Sequence, residues 1–339
     1  MTRALVDIES ITGQEQAAGD FLHAHLQQLA NRTGGTVERM EVTPQRFNVL
    51  AVWGTPVVTL STHMDTVPPF FASREDEQFV WGRGACDAKG IIAAMIAAAE
   101  KLLAEGTRNF ALLFVVGEEK DSLGAHTAAK AGRGSRCLIN GEPTENKLAI
   151  GSKGALRYEL VARGKLAHSA YPELGESAIH KLLDVLEGIR RIPLPEDPLL
   201  GKATLNVGTI SGGRATNVVA DEARAELMFR VVSEPAGLRE AVAKAAEGKV
   251  EAREALYTPA LRMEAMDGLP TTVVSFTTDI PNFRGAWGKP MLIGPGSIHL
   301  AHTAEERIAK GDLRRAVGIY ADLVRKVAAS GLPVRQAGE

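Results

Sequence analysis

Apolar segments of two lengths alternate over the first 150 residues of the chain. Short apolar runs of strand length lie at 57–63, 110–116 and 137–140, and longer segments with a helical pattern lie at 16–29 and 91–104. Strands that alternate with helices are typical of a mostly parallel sheet flanked by helices. We therefore predict an α/β domain and expect its site at the carboxyl ends of the strands, where ligands gather in such sheets.

The pattern changes after Ser152. The next predicted elements are strand 156–163, helix 176–190, strand 204–210, strand 222–231, helix 236–246 and strand 249–256. The helix at 176–190 is the best defined, because apolar residues recur at helical spacing: Ile179, Leu182, Leu183, Leu186 and Ile189. This βαββαβ order indicates a ferredoxin-like α+β unit.

The α/β pattern returns at about residue 263. An apolar run at 290–297 is followed by a helix predicted from about Ala304 to Ala328, ending before Gly331. A chain of 339 residues also exceeds the usual size of a single core. The sequence therefore predicts one catalytic domain, formed by residues 1–154 and 263–339, which is interrupted by a smaller domain at 155–262.

Composition excludes several classes of partner. The chain has 39 basic and 41 acidic residues, a net charge of −2, and no basic stripe that would suit nucleic acid or an anionic membrane. Charged side chains interrupt the first ten residues, so we expect no signal peptide, and the longest apolar run, 91–99, is too short to span a bilayer. Because the chain has only two cysteines, we expect a reducing compartment, the cytoplasm.

Polar residues follow the predicted strand 57–63. His63 and Asp65 are two positions apart, so their side chains point to the same side, and the carboxylate can fix which ring nitrogen faces a metal. A lone histidine at a strand end is more often structural. The interpretation of His63 and Asp65 as part of a metal site therefore depends on the other clusters.

Two further clusters each have a functional and a plain structural interpretation. Asp87 lies in the glycine-rich segment 82–90 before a helix, where a carboxylate can be held for a ligand; the alternative makes Asp87 a helix N-cap and leaves Lys89 solvated. Glu118 and Glu119 directly follow a strand and diverge, so that one can bind metal while the other transfers a proton. Alternatively, the acidic pair only solvates a loop.

The last candidates are Glu142, which follows the strand 137–140, and two histidines at 299 and 302. His302 precedes a helix, and His299 is expected to be structural or to support a ligand from behind. Taken together, the clusters place imidazoles and several carboxylates at the ends of successive strands. Such a mixed donor set suits zinc, and a carboxylate-rich set suits two ions that share a bridging aspartate.

These segments, in this order, resemble the dinuclear zinc deacylases and exopeptidases, which include acetylornithine deacetylase, succinyl-diaminopimelate desuccinylase, aminoacylase and glutamate carboxypeptidase. The resemblance extends from ESITGQEQ (9–16) to HTAEE (302–306). It implies two Zn²⁺ ions, for which Co²⁺ can substitute. The implied residue roles are His63 and Glu142 on one ion, Glu119 and His302 on the other, Asp87 bridging, Asp65 orienting His63, and Glu118 as the general base.

The inserted domain carries the remaining implied residues. Segment 164–178 resembles the family segment whose histidine reaches the partner subunit's active site, so His168 is expected to stabilise the oxyanion. The resemblance also implies that the inserted domain acts as a lid and that the chain forms a homodimer through it. Asn217 and Arg230 match substrate-contacting positions, and an arginine fork suits a substrate carboxylate. The alternative makes them a loop amide and a surface ion pair.

The resemblance predicts hydrolysis of the amide bond of an N-acyl amino acid, in the manner of acetylornithine deacetylase. A desuccinylase, or a dipeptidase or carboxypeptidase, is the alternative. Ile280 and Pro281 stand where the desuccinylases usually carry glycine and arginine, which argues against a strict desuccinylase. A catalytically silent binding protein with the same fold is a third possibility, but every ligand and base position is filled.

Overall fold

The structure is a computed structural model of the chain, and it describes residues 1–329. The helices are α1 (Thr2–Val6), α2 (Gln16–Thr33), α3 (Lys89–Ala104), α4 (Leu123–Ala128), α5 (Ala178–Arg190), α6 (Ala236–Ala246) and α7 (Lys310–Ala329). Short 3₁₀ turns lie at Pro172–Leu174 and Ile280–Phe283. The strands are β1 (Thr36–Thr43), β2 (Arg46–Trp53), β3 (Val58–His63), β4 (Arg74–Glu75), β5 (Phe79–Trp81), β6 (Phe110–Val115), β7 (Cys137–Asn140), β8 (Leu148–Ser152), β9 (Gly154–Arg163), β10 (Glu196–Asp197), β11 (Gly201–Lys202), β12 (Thr204–Gly212), β13 (Glu222–Val231), β14 (Val250–Thr258), β15 (Leu261–Arg262), β16 (Thr271–Val274), β17 (Lys289–Leu292) and β18 (Arg307–Ala309).

The chain divides into two compact units. The first contains Met1–Ile150, Met263–Thr272 and the described residues from Thr278 onward, and the second contains Gly151–Arg262 and Val273–Thr277. The segment predicted as an insertion, 155–262, falls within the second unit. Its expected roles as a lid and as a dimerisation domain stay predictions.

The sheet of the first unit is mixed rather than mostly parallel. Its strands lie in the order β1-β2-β6-β3-β7-β17-β8. The central strands β6, β3, β7 and β17 are parallel, whereas β1, β2 and β8 pair antiparallel with their neighbours. The physical reason is local: a tight turn joins β1 to β2, and strands joined in this way must pair antiparallel. The sequence prediction assigned neither of these strands.

Both faces of this sheet are covered, which explains why β6 is apolar at every position. Phe110, Leu112 and Phe114 belong to a core that includes α2, α3 and α7. The alternate residues of β6 pack in a second core with α4 and Trp287. Strands that are buried on both faces read as continuous apolar runs, as this one does.

The register of the parallel strands brings their carboxyl ends level. His63 is paired with Val115 on β6, and Ser61 is paired with Asn140 on β7. The residues that follow these strands therefore emerge at one edge of the sheet. This edge carries the polar clusters of the sequence.

The C-terminal helix begins later than the sequence predicts. Residues Arg307–Ala309 form β18, which pairs antiparallel with β5, and α7 starts only at Lys310. Pairing with β5 buries Ile308, and this long-range contact overrides the local helical pattern from Ala304. The predicted helix end before Gly331 lies outside the described residues.

The second unit has its own sheet and core. The strands lie in the order β12-β13-β9-β14, all antiparallel, and the elements follow one another as βαββαβ. Helices α5 and α6 contribute Leu182, Leu186 and Val242 to the core beside Phe229 of β13. Leu183, one of the apolar positions in the predicted helix, is exposed.

No helix within residues 1–329 is long and apolar enough to cross a membrane. Cys86 and Cys137 are both buried and unbonded to each other.

Leu182 and Leu183 offer a matched test of the second core. Leu182 is 1 % exposed, whereas its neighbour Leu183 is 51 % exposed. We expect Leu182→Ala to lower the free energy of unfolding by about 2–5 kcal/mol, because it leaves a cavity. Leu183→Ala should cost less than about 1 kcal/mol. Urea unfolding followed by circular dichroism measures both, and equal losses would contradict the packing described here.

Candidate metal centre

One aspartate stands between two histidines. The Oδ1 atom of Asp87 is 2.9 Å from Nε2 of His63, and its Oδ2 atom is 3.4 Å from Nε2 of His302. The same His302 nitrogen is 2.9 Å from Oε1 of Glu119. Potential ligand atoms of His63, Asp87 and Glu119 all lie within 4.8 Å of one another. The two oxygens of Asp87 thus face different imidazoles, as a bridging carboxylate would.

Glu142 supplies a buried oxygen that has no partner. Glu142 follows β7, and the turn there is fixed because the Gly141 amide donates to the Ser61 carbonyl at 2.8 Å. Its side chain is buried, and its Oε1 atom has no hydrogen-bond partner among residues 1–329. Burial, together with the negative charge of Asp87, raises the pKa of Glu142 well above its usual range. A buried bare carboxylate oxygen beside His63 is a donor that fits a cation.

Asp65 fixes the loop that carries the two glutamates. Its carboxylate accepts hydrogen bonds from the backbone amides of Gly117, Glu118 and Glu119 at 3.0–3.2 Å, and from the Thr12 hydroxyl at 2.7 Å. Although burial opposes ionisation, the His63 ring and these donors lower the pKa of Asp65. Asp65 therefore stays an anion and holds the loop.

The ring of His63 lies closer to the main-chain carbonyl of Asp65 than to the Asp65 carboxylate. Nδ1 of His63 is 3.0 Å from the main-chain carbonyl oxygen of Asp65 and 3.5 Å from its Oδ1. With Nδ1 directed at the carbonyl, Nε2 faces Asp87. The carbonyl of the same residue thus shares the orienting task that the sequence analysis gives to the carboxylate.

A second group of charged residues stabilises the loop that carries Glu118 and Glu119. The Arg46 guanidinium donates to both oxygens of the buried Glu15 at 2.8 and 2.9 Å and to Asp121 at 3.2 Å. Gly117, at the start of the loop, has φ 84°, and a Cβ there would lie 2.3 Å from Asp121. Only glycine therefore fits this turn.

Glu118 lies beside the ligand candidates and forms no ion pair with any residue that the structure describes. Burial, and then the charge of Glu142, raise its pKa well above the usual value. A glutamate with a raised pKa accepts a proton more readily than an ordinary carboxylate, as a general base requires.

His302 is the exposed member of the cluster. Its side chain is 48 % exposed, and its backbone is left-handed at φ 63°. Hydrogen bonds with Asp87 and Glu119 raise its pKa to about 10 in the absence of a metal. The centre is therefore open to solvent on the His302 side. His299 is also exposed and has no described contact with the cluster.

The plain interpretation of the Asp87 turn does not hold. Ala88, not Asp87, occupies the N-cap position of α3, and it makes no side-chain cap. Lys89 is buried rather than solvated, and its Nζ donates to the Ile8 carbonyl. The turn instead presents the Asp87 carboxylate to the two histidines.

Two buried acidic residues of the site region were not among the sequence candidates. Glu306 accepts hydrogen bonds from the Asp87 turn, and Asp279 is fully buried with no hydrogen-bond partner for either carboxylate oxygen among the described residues. Burial raises the pKa of Asp279 to about 7, against the opposing effect of the nearby Ser122 side chain. No spacing signal marks them, because their neighbours lie far away in the sequence.

In the second unit, the predicted residues fall in two places. The segments of His168 and Asn217 are adjacent: the Ser169 amide donates to the Asn217 carbonyl at 3.0 Å. Arg230 lies near the far end of β13, where its guanidinium is 3.5 Å from the Thr277 hydroxyl. His168 and Asn217 are thus brought together, and Arg230 is not placed with them.

Comparison with known proteins identifies one family by its sequence model and by related sequences. The sequence model of "Peptidase family M20/M25/M40" matches residues 59–326. A peptidase M20 domain-containing protein of Schizosaccharomyces pombe is 38 % identical over 334 residues, covering 95 % of this chain and 82 % of that protein. A protein of Aspergillus terreus named as a probable carboxypeptidase is 36 % identical, covering 95 % of this chain and 84 % of its own length.

Solved structures share the fold. An M20 family metallo-carboxypeptidase from Sulfolobus solfataricus superposes with a TM-score of 0.78 at 17 % sequence identity, covering 96 % of this chain and 98 % of that one.

Asp279 gives a test by pH. Its folded pKa of about 7 lies above the ordinary aspartate value of 3.8, so the folded protein keeps a proton that the unfolded chain loses. The free energy of unfolding therefore falls as pH rises from about 4 to 7. Asp279→Asn should reduce the fall between pH 5 and 7 by on the order of 2 kcal/mol in metal-free protein.

Urea unfolding in the presence of a chelator measures this fall. The exposed Asp267 provides the control, since Asp267→Asn should leave the pH dependence as it is in the parent protein. An unchanged slope in Asp279→Asn would show that Asp279 is ionised in the folded state.

Proposed function

Because this chain belongs to peptidase family M20/M25/M40, whose members hydrolyse amide bonds, we propose that it is a zinc-dependent exopeptidase. Its substrate is a short peptide or a closely related N-acyl amino acid. The observation that carries the proposal is the Asp87 carboxylate, whose two oxygens face His63 and His302, together with the buried Glu142 Oε1 atom, which has no hydrogen-bond partner in the described part of the chain.

The donor set fits two metal ions. His63 and Glu142 would hold one ion and His302 and Glu119 the other, with Asp87 between them. Mixed imidazole and carboxylate donors suit zinc, and Co²⁺ is the expected substitute. When bound, such a pair of ions would polarise a carbonyl group and lower the pKa of water, so that a stronger nucleophile is available at neutral pH.

Glu118 is the proposed general base. It takes a proton from the attacking water and later delivers that proton to the leaving amine. Burial raises its pKa, so the carboxylate is basic enough for this transfer. The bonds from Asp65 to the amides of Glu118 and Glu119 fix these neighbours relative to each other, so that one can bind metal while the other moves the proton.

The choice of substrate rests on the relatives. A related chain that is 36 % identical is named as a probable carboxypeptidase, which favours a peptide substrate over the N-acyl amino acid that the sequence analysis placed first. The acetylornithine deacetylase-like and desuccinylase activities stay predictions, since the same metal ligands and base would serve them. A panel of dipeptides, peptides with different C-terminal residues, N-acetylornithine and N-succinyl-diaminopimelate separates these possibilities.

Substrate binding is proposed to need two copies of the chain. Arg230 lies eight residues along β13 from Glu222, where the loop carrying Asn217 ends, a span of roughly 27 Å. Groups at the two ends of such a strand cannot both contact one small substrate, and the loop of Asn217 adjoins the Glu222 end. This distance supports a homodimer in which His168 and Asn217 of one subunit serve the metal centre of the other, while Arg230 binds a substrate carboxylate separately.

Glu118→Gln tests the base. We expect this variant to keep both zinc ions, because Glu118 is not a proposed ligand, and to lose at least about a hundredfold in kcat, because a general base typically contributes that much. Metal content by elemental analysis and turnover of the best substrate of the panel are the measurements. The neighbouring Lys120→Gln should retain both properties.

Removal of metal tests the chemistry as a whole. Dialysis against a strong chelator should abolish hydrolysis, and added Zn²⁺ or Co²⁺ should restore it. Full activity in the absence of measurable metal would rule out the proposed mechanism, and so would normal turnover by metal-loaded Glu118→Gln protein.

Mixed dimers test the role of His168. In a heterodimer of one Glu118→Gln subunit and one His168→Ala subunit, one of the two sites would combine an intact Glu118 with an intact His168. Random mixing of the two inactive proteins should therefore restore roughly a quarter of the parent activity. If His168 acts within its own subunit, mixing restores nothing, and the proposed exchange between subunits is wrong.

A further inference from the structure

We propose that Glu306 is a positioning residue that fills a nest of backbone amides in the Asp87 turn and thereby sets the affinity of the centre for metal. This inference rests on the proposed function, because it concerns the same metal centre. Glu306 is not itself a ligand: its carboxylate is fully engaged with the turn. Its effect is to fix where the Asp87 carboxylate stands.

Both carboxylate oxygens of Glu306 accept hydrogen bonds from the Asp87 turn. Its Oε1 atom accepts hydrogen bonds from the amides of Gly84, Cys86 and Asp87 at 2.9, 3.1 and 3.1 Å. Its Oε2 atom accepts from Nη1 of Arg83 at 2.6 Å. Both side chains of this ion pair are at least 98 % buried. Every donor comes from the short segment 83–87 that ends at the bridging aspartate.

The same residue ties this turn to the second histidine. Glu306 follows His302 by four positions, and its main-chain carbonyl accepts from the Gly82 amide at 3.1 Å. The Cys86 thiol donates to the Ser297 carbonyl, so the segment on the other side of His302 is also attached to the turn. The position of Asp87 relative to His302 is therefore fixed by contacts that cross more than 200 residues of sequence.

A carboxylate is needed there for electrostatic reasons. Three amides that converge on one point form a site of positive potential, which attracts an anion. Without Glu306, these buried amides would lack a partner, and the Asp87 carboxylate, an anion on the same turn, would be attracted toward them. If Asp87 turned toward the amides, it would leave His63 and His302. Glu306 prevents this by occupying the nest permanently.

Arg83 completes the arrangement. Its positive charge offsets that of Glu306, so the nest adds no net negative charge beside Asp87. The charge of Asp87 remains available for a cation. A neutral side chain of the same size would satisfy some of the amides but would leave Arg83 without its buried partner, which is costly.

The experiment measures zinc binding by equilibrium dialysis with the full chain, with no need for turnover. Glu306→Ala should weaken zinc binding tenfold to a hundredfold, as loss of a residue that supports a metal ligand does. Formate, a small carboxylate that fits the emptied nest, should recover most of this loss, whereas the neutral formamide should not. The adjacent exposed Glu305→Ala is the control and should bind zinc as the parent protein does.

Glu306→Gln keeps the test decisive if the alanine variant does not fold. Glutamine preserves the shape but presents an amide group to Arg83 or to the nest. We expect it to weaken zinc binding about tenfold while the circular dichroism spectrum is unchanged. A folded Glu306→Gln or Glu306→Ala protein with the parent affinity for zinc would overturn the inference, as would equal recovery with formate and formamide.

The two proposals fail differently. If the parent protein binds no zinc, the metal-dependent function is overturned and the inference falls with it. If the parent protein and all the Glu306 variants bind zinc equally, only the positioning role is overturned.

Discussion

Crowding of buried carboxylates at one edge of a sheet is the constraint on which the rest of this structure depends. Glu118, Glu119 and Glu142, buried or half-buried, meet there because β3, β6 and β7 end level with one another, and the turn before α3 brings Asp87 to the same place. In a medium of low dielectric constant, such like charges repel strongly, and burial further disfavours each charged form. The raised pKa values of Glu118 and Glu142 express this conflict. A pair of dications at the same place would remove it.

The surrounding charges show the same constraint from outside. Arg46, Arg83 and Lys89 are buried or half-buried cations around the site, and each is bonded away from the ligand oxygens: to Glu15, to Glu306 and to a main-chain carbonyl, respectively. None of them neutralises the ligand candidates directly. The protein thus balances the charges of the supporting residues internally and leaves the charge of the central carboxylates for a ligand.

The sequence could predict the elements and the ligand candidates because both depend on local patterns. The apolar runs of β3, β6 and β7 are continuous since both faces of the sheet are covered, and the polar residue after each run marks the strand end. Contacts between distant segments leave no such mark. Glu306 meets the amide of Asp87 across 219 residues of sequence, and β18 forms only because β5 lies beside it.

The same distinction explains the corrected expectations. The segment from Ala304 has a helical pattern, yet α7 begins only at Lys310 because the residues before it pair with a distant strand. The central strands of the first sheet are parallel, but the turn between β1 and β2 adds an antiparallel pair, so the sheet is mixed. Lys89 looks like a solvated residue in the sequence, whereas the fold buries it against a carbonyl near the N-terminus.

The second unit bears on how copies of the chain could assemble. Along β13, one end approaches the loop of His168 and Asn217, and the other end carries Arg230. A strand is a rigid spacer of about 3.3 Å per residue, so its two ends contact different parts of their surroundings. The proposal that His168 and Arg230 act on one substrate is therefore also a proposal that two copies of this unit take part. The length of one strand, more than any single contact, is the observation on which the proposed dimer rests.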